Sequence, residues 1–170
     1  MTDVRAAGSR AAGDAQPGTL RQRAYTGYRW LLILFLVAGA VQVFLAGLGV
    51  FHLHAYGLDA AGGDSALTPH RVLGSVMAGI ALLILLFAVA ARPGGWPIGL
   101  SATLAVLTSL VQSLLAGLAD DHAVYGGLHA LDGFGIIAIA AYLLYRARPG
   151  ARRDDGQREG LPDREAQETR

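Results

Sequence analysis

The chain has 170 residues, of which 53% are hydrophobic and 16% are charged, and its formal net charge is +1 at pH 7. It contains no phosphate-binding loop, nucleophile elbow or zinc-protease motif, and its arginines lie in segments that flank long apolar runs, so the sequence indicates neither a soluble enzyme nor a nucleic-acid-binding protein. The absence of cysteine excludes disulfides and thiolate ligands.

Four apolar runs predict four transmembrane helices, at residues 29–51, 70–91, 96–119 and 125–145. Each run has about the 20 residues that a helix needs to cross a hydrocarbon core of about 30 Å. A soluble four-helix bundle would need a polar stripe on every helix, and residues 80–91 (IALLILLFAVAA) have none. The predicted fold class is therefore an all-α membrane protein, with four transmembrane helices in an up-down bundle built from two tandem helical hairpins.

The polar segments complete the predicted organisation: a disordered N-terminal segment at residues 1–28, a transmembrane domain at 29–146 and a disordered charged tail at 147–170. The terminal segments are rich in arginine, whereas the predicted loops at 52–69 and 120–124 carry aspartates. By the positive-inside rule, both termini are expected in the cytoplasm of a bacterium, with the domain in its inner (plasma) membrane.

A short motif occurs twice in the chain. Residues 41–48 (VQVFLAGL) return as residues 111–118 (VQSLLAGL). Each copy is followed, after a polar loop, by an apolar run that opens with His-x-x-x-Gly, first at His70–Gly74 and then at His129–Gly133. Because the repeated unit is a hairpin, its two copies are expected to be related by a pseudo-twofold axis along the membrane normal.

The repeat predicts two layers of polar side chains near the outer face. His70 and His129 are expected within roughly one turn of the outer boundary, and Gln42 and Gln112 about 10–14 Å deep. Two neutral imidazoles that face each other across a bundle can supply both axial positions of a haem iron. The sequence therefore indicates a cofactor site between the second and fourth helices.

Other residues near these histidines fit the same site. A glycine one turn below each histidine (Gly74 and Gly133) leaves room for a flat ligand against the backbone. Arg71 is placed at the outer rim to pair with a haem propionate. Asp132 is an acid inside a predicted span, and it needs either a partner such as Arg71 or a role in proton transfer.

Structural roles stay open for several residues. A single histidine is common at a membrane interface, and the two glutamines also suit interhelical hydrogen bonds. Gly47 and Gly117 suit close helix packing, the more frequent role of small residues in membranes. His52 and His54 suit a metal-binding pair with no third ligand fixed beside it, and His122 lies in a loop.

Three short motifs carry a family resemblance: the second predicted helix opens with His70-Arg71, the third ends with Gln112 and Leu115–Gly117, and the fourth opens with Leu128-His129. These motifs resemble one four-helix half of haem A synthase, and the chain also looks like small uncharacterised four-helix bacterial membrane proteins. The resemblance covers about residues 28–146 and implies haem ligation by both histidines.

The chain also departs from haem A synthase. Leu67 stands where that family has a glutamate important for its chemistry, and the outer cysteine pair of some members is absent. Only one half is present, so a second haem site would require a homodimer. The resemblance therefore favours haem binding over haem oxidation.

The sequence indicates two alternative functions. The first is a membrane protein that binds b-type haem between His70 and His129, with Arg71 at a propionate and Gln42 and Gln112 lining the deeper pocket, for electron transfer or haem handling. The second is a cofactor-free membrane scaffold or accessory subunit, in which the histidines only anchor helices. The expected partners are the lipid bilayer and either a second copy of the chain or a membrane redox partner, and no enzymatic reaction is assigned.

An ion or proton pathway through Asp132 ranks last. Nothing ionisable follows it toward the cytoplasmic face until Arg92 or Arg146, so that half of the membrane has no relay.

Overall fold

A computed structural model describes residues 17–56 and 60–148, and within these ranges the chain forms helices and short turns without any strand. The four long helices are α1 (Pro17–Tyr56), α2 (Ala60–Ala91), α3 (Gly95–Leu118) and α4 (Ala123–Arg146). Each is long and apolar enough to cross a membrane. The all-α four-helix prediction is therefore confirmed, and the chain is a multi-pass membrane protein.

The helices are arranged in a ring. Each packs against the next in the chain, and α4 closes the ring against α1, so α2 and α4 lie diagonally opposite each other. The α1–α2 and α3–α4 connections lie at one end of the bundle, which we call the hairpin end. The opposite end, which we call the termini end, holds the α2–α3 turn, the start of α1 and the end of α4.

The tightest core lies in the half nearer the termini end. Its largest buried side chains are Tyr28, Leu32, Phe35, Ile84, Leu104 and Leu143. Alanines on α2 and α4 let the helices approach, and the hydroxyls of Tyr28 and Ser101 lie 3.3 Å apart within this core. Large apolar side chains cover the outside of the bundle, as expected for a surface in contact with lipid chains: Trp30, Phe44, Phe51, Leu86 and Phe134 are all exposed.

Helix α1 begins earlier than the sequence predicted. It starts at Pro17, so the prediction of disorder is wrong for residues 17–28. Proline suits the first turn of a helix, and the side chain of Arg21 ties the early part of α1 to the end of α2. Its Nε and Nη2 atoms donate hydrogen bonds of 3.0 and 2.9 Å to the carbonyl oxygens of Ala91 and Arg92. The remaining predictions of disorder, for residues 1–16 and 149–170, fall outside the described residues.

The predicted loop at residues 52–69 is also largely helical. Helix α1 continues to Tyr56, and α2 starts at Ala60, so that Pro69 lies inside α2. The two helices stay in close contact along this extension, where Leu67 packs against Gly49. Helical pairing therefore continues beyond the apolar run that the sequence showed.

This extension makes the two hairpins unequal. Gln42 lies fourteen residues before the end of α1, whereas Gln112 lies six residues before the end of α3. At 1.5 Å per residue, the first hairpin reaches about 12 Å farther than the second at the hairpin end.

Candidate functional site

A reciprocal pair of hydrogen bonds joins α3 to α4 at Gln112 and His129. The Nδ1 atom of His129 lies 3.1 Å from the carbonyl oxygen of Gln112, and the side-chain Nε2 of Gln112 donates to the carbonyl oxygen of His129 at 3.0 Å. A carbonyl oxygen can only accept, so Nδ1 must carry the proton, and Nε2 of the neutral imidazole keeps a lone pair. The ring is therefore held in the tautomer that a metal-ligating histidine uses.

The first hairpin makes the same pair of hydrogen bonds. His70 Nδ1 lies 3.2 Å from the carbonyl oxygen of Gln42, and Gln42 Nε2 donates to the carbonyl oxygen of His70 at 2.9 Å. One contact differs, since His70 Nε2 also lies 3.4 Å from the Gln42 amide nitrogen. We call each set of a glutamine and its histidine a Gln–His clasp.

The glycines of the two motifs make room for the glutamine side chains. A Cβ atom on Gly74 would lie 3.2 Å from Gln42 Nε2, and one on Gly133 would lie 3.4 Å from Gln112 Nε2. The distance at Gly74 is tighter than an ordinary van der Waals contact, and the distance at Gly133 is at the lower limit of one. The amide group of a glutamine thus lies in the space beside each glycine.

The predicted separation of histidines and glutamines into two layers is wrong. Each glutamine bonds directly to its histidine, so all four side chains lie at one level of the bundle. The reason lies in the helix starts: His70 is ten residues inside α2, because the predicted loop before it is helical. His129 is six residues inside α4, which matches the position of Gln112 six residues before the end of α3.

The two histidines meet across the bundle axis. Their ring centroids lie 6.2 Å apart, with an angle of 64° between the ring planes, and both residues are partly buried. Metal–imidazole bonds of about 2.0–2.1 Å place the centroids of two rings that share one metal ion about 6 Å apart. The centroid spacing of the two imidazoles is thus compatible with one shared metal ion.

Two charged residues, Arg71 and Asp132, lie near the histidines. Arg71 follows His70 and is exposed. Asp132 lies within hydrogen-bonding reach of Gln112 and near His129, and its Oδ2 atom is buried with no hydrogen-bond partner among the described residues. Asp132 therefore keeps one buried carboxylate oxygen without a partner among the described residues.

The remaining histidines lie away from this layer. His52 and His54 are exposed near the end of α1, and His122 packs beside Tyr125 with ring centroids 6.1 Å apart. Within the described part of the chain, no three His, Cys, Asp or Glu side chains gather as a metal-binding group. The structure thus adds no third ligand to His52 and His54.

The repeated glycines at the hairpin end, Gly47 and Gly117, do not pack closely against any described residue. A Cβ atom on Gly47 or Gly117 would meet no heavy atom within 4 Å. The close packing suggested for them would therefore need a neighbour from outside the described residues.

Ser109 was not among the site residues predicted from the sequence. This residue lies in a π-helical turn of α3, Leu107–Val111, and its hydroxyl oxygen is buried without a hydrogen-bond partner among the described residues. A comparison of the two motif copies would have drawn attention to it, because the equivalent position in the first hairpin is Gly39.

Comparison with known proteins adds a family likeness but no activity. Residues 42–120 match a family of unknown function, DUF6220. The match covers the first clasp and Gln112, and it ends before His129. No curated protein and no solved structure matches the chain.

Proposed function

We propose that this protein binds a b-type haem between His70 and His129 and serves in electron transfer or haem handling within the membrane. The observation that carries the proposal is the paired geometry of the two imidazoles. They come from diagonal helices, each has its Nδ1 proton committed to a backbone carbonyl, and their centroids are 6.2 Å apart.

The donor set fits haem better than it fits other metal groups. Two neutral imidazoles, His70 and His129, would hold a haem iron, whereas a structural zinc ion takes four protein ligands. Among the described residues, no three His, Cys, Asp or Glu side chains gather as a metal-binding group. When bound, haem would supply one-electron redox chemistry at this layer.

The chain's own residues would set the conditions for that chemistry. The carbonyl oxygens of Gln42 and Gln112 fix the orientation and tautomer of the two rings, the role that outer-sphere hydrogen bonds play at metal sites. Arg71, exposed beside His70, is placed to pair with a carboxylate of the cofactor.

A visible difference spectrum tests the proposal. Full-length protein, expressed with ample haem and purified in detergent, is expected to show a b-type α band when reduced, and His70→Ala and His129→Ala should each abolish it. His54→Ala and His122→Ala are matched controls that should leave it unchanged. A featureless spectrum from folded wild-type protein, or bands that survive both substitutions, would contradict haem ligation by this pair.

We further propose that the protein lies in a bacterial plasma membrane with both termini in the cytoplasm. The termini end carries Arg21, Arg23, Arg92, Arg146 and Arg148, whereas Asp120 and Asp121 lie at the hairpin end. Positive residues favour the cytoplasmic side. Because the chain has no cysteine, Asp121→Cys in intact cells should react with a membrane-impermeant maleimide and Arg148→Cys should not; the reverse pattern would contradict this orientation.

The shared clasps support the interpretation of the two hairpins as tandem copies of one unit. They also favour a second candidate function, a cofactor-free scaffold or accessory subunit that assembles with a second copy or with another membrane protein. In that case the clasps serve only to join helices, and the open surfaces at Gly47 and Gly117 serve for assembly. Replacement of both histidines by glutamine would then leave the spectrum and assembly unchanged, whereas Gly47→Leu with Gly117→Leu would abolish assembly.

A further inference from the structure

The two hairpins differ in polarity immediately below their clasps. Three residues from the clasp toward the termini end, the second hairpin has Ser109 on α3 and Asp132 on α4, where the first hairpin has Gly39 and Leu73. The shared motif therefore explains neither polar residue.

Ser109 and Asp132 lie at the same depth between α3 and α4. Each is three residues from its clasp partner, Gln112 or His129, and those partners are joined by hydrogen bonds of 3.0 and 3.1 Å. On α4, residues three apart share a helix face, so Asp132 lies about 4.5 Å from His129 along the helix on the same face. The π-helical turn that holds Ser109 packs against α4, so both residues lie just below the second clasp.

Each of these side chains has a buried oxygen without a partner. Ser109 Oγ and Asp132 Oδ2 form no hydrogen bond with any described residue. An unsatisfied carboxylate oxygen inside a membrane span is costly, and such groups are retained when they bind something. The first hairpin carries no such carboxylate, since Leu73 stands at that position.

The backbone of α3 is also irregular at this level. Ser109 lies within the π-helical turn Leu107–Val111, where the N–H of Gln112 bonds to the carbonyl oxygen of Leu107, five residues back. Such turns interrupt regular helical pairing and occur often at functional sites. In membrane proteins, irregular backbone at this depth is tolerated where it is buried in protein or lines a cavity.

We propose that Ser109 and Asp132 form a binding site for one monovalent metal cation beside the side chain of Gln112. Carboxylate and hydroxyl oxygens are the ligands that hard cations prefer. A single carboxylate balances a single positive charge, so a bound monovalent ion leaves the site neutral in a medium where net charge is expensive. The site lies beside the second clasp, and binding of the cation does not require haem.

Thermal unfolding of the haem-free protein in detergent tests this site. Melting is followed in NaCl, KCl or LiCl and compared with N-methylglucamine chloride at the same ionic strength. At saturation, at least one metal cation is expected to raise Tm by about 2–8 °C over the organic cation, since a ligand that binds only the folded state stabilises it. Asp132→Asn and Ser109→Ala should each remove this increment.

Two matched variants control for general effects of the substitutions. Asp121→Asn removes a carboxylate from the α3–α4 turn, and Ser75→Ala removes an exposed hydroxyl on α2; both should keep the increment. If wild-type protein melts at the same temperature in every salt, or if Ser109→Ala and Asp132→Asn retain the full increment, the cation site is overturned. Since Ser109→Ala removes only a hydroxyl, it provides the test even if Asp132→Asn does not fold.

Discussion

Gly74 of α2 lies so close to Gln42 of α1 that a Cβ atom on this glycine would come within 3.2 Å of the amide nitrogen of the glutamine. That amide donates to the carbonyl oxygen of His70, one turn before Gly74 on the same helix. The glycine, the histidine and the glutamine therefore depend on one another, which accounts for their joint occurrence in the motif. The same relationship, with slightly more space, holds between Gly133 and Gln112.

We expect Gly74→Ala to be less favourable than Gly47→Ala by about 1 kcal/mol. Alanine gains up to about 1 kcal/mol over glycine inside a helix, and at Gly47 nothing opposes that gain because a Cβ there meets open space. At Gly74 the new methyl group displaces the Gln42 amide and weakens the clasp. Reversible unfolding in mixed micelles measures the free energy of unfolding of both variants. Equal changes would show that the close approach of Gly74 to Gln42 does not affect stability.

Removal of a glutamine should cost a modest amount of stability, because the carbonyl oxygen of each histidine keeps its helical hydrogen bond. Interhelical hydrogen bonds in membranes contribute about 0.6 kcal/mol on average and up to about 1.7. We expect Gln112→Leu to cost more than Gln42→Leu, because Gln112 also neighbours the Asp132 carboxyl. The same unfolding assay ranks the two variants, with Gln22→Leu on the exposed start of α1 as the control. A larger loss in Gln42→Leu would contradict this ranking.

The sequence was sufficient for the fold, because helix number and membrane location depend on the length and apolarity of the runs. It also identified the histidines and glutamines of the site, since they recur at matched positions. The sequence did not predict the relative depth of the histidines and glutamines in the bundle. The depth of His70 depends on the helical extension on either side of residues 57–59, and the polar, glycine-rich composition there suggested a loop.

The sequence also did not predict the role of the glycines, for a different reason. Helical spacing shows that Gly74 lies one turn from His70, but it does not show which neighbouring side chain fills the space. Gln42 is twenty-eight residues away from His70 in the chain, and only the packing of α1 on α2 brings them together.

We expect Arg21→Ala to destabilise the termini end by about 1 kcal/mol. Arg21 donates to two carbonyl oxygens at the end of α2, where Arg92 takes a left-handed conformation (φ 49°) that stops the helix. A cation at a helix C-terminus satisfies unpaired carbonyls and interacts favourably with the helix dipole. Hydrogen exchange at the α2–α3 turn should rise in this variant and stay unchanged in Arg23→Ala, whose side chain is also exposed. Equal exchange in the two variants would show that the Arg21 contacts contribute nothing.

If the protein binds haem, removal of the His129 ring distinguishes a ligand from a structural residue. We expect His129→Gly to lose the b-type band and free imidazole to restore it, because the small molecule can occupy the space left by the ring and supply the missing nitrogen. Methylimidazole substituted at one nitrogen keeps a ligating nitrogen but no N–H, so it cannot donate to the carbonyl oxygen of Gln112 as Nδ1 of His129 does. It should therefore restore the band at higher concentration than imidazole. If neither compound restores the band while the variant remains folded, His129 is not an axial ligand that a free imidazole can replace.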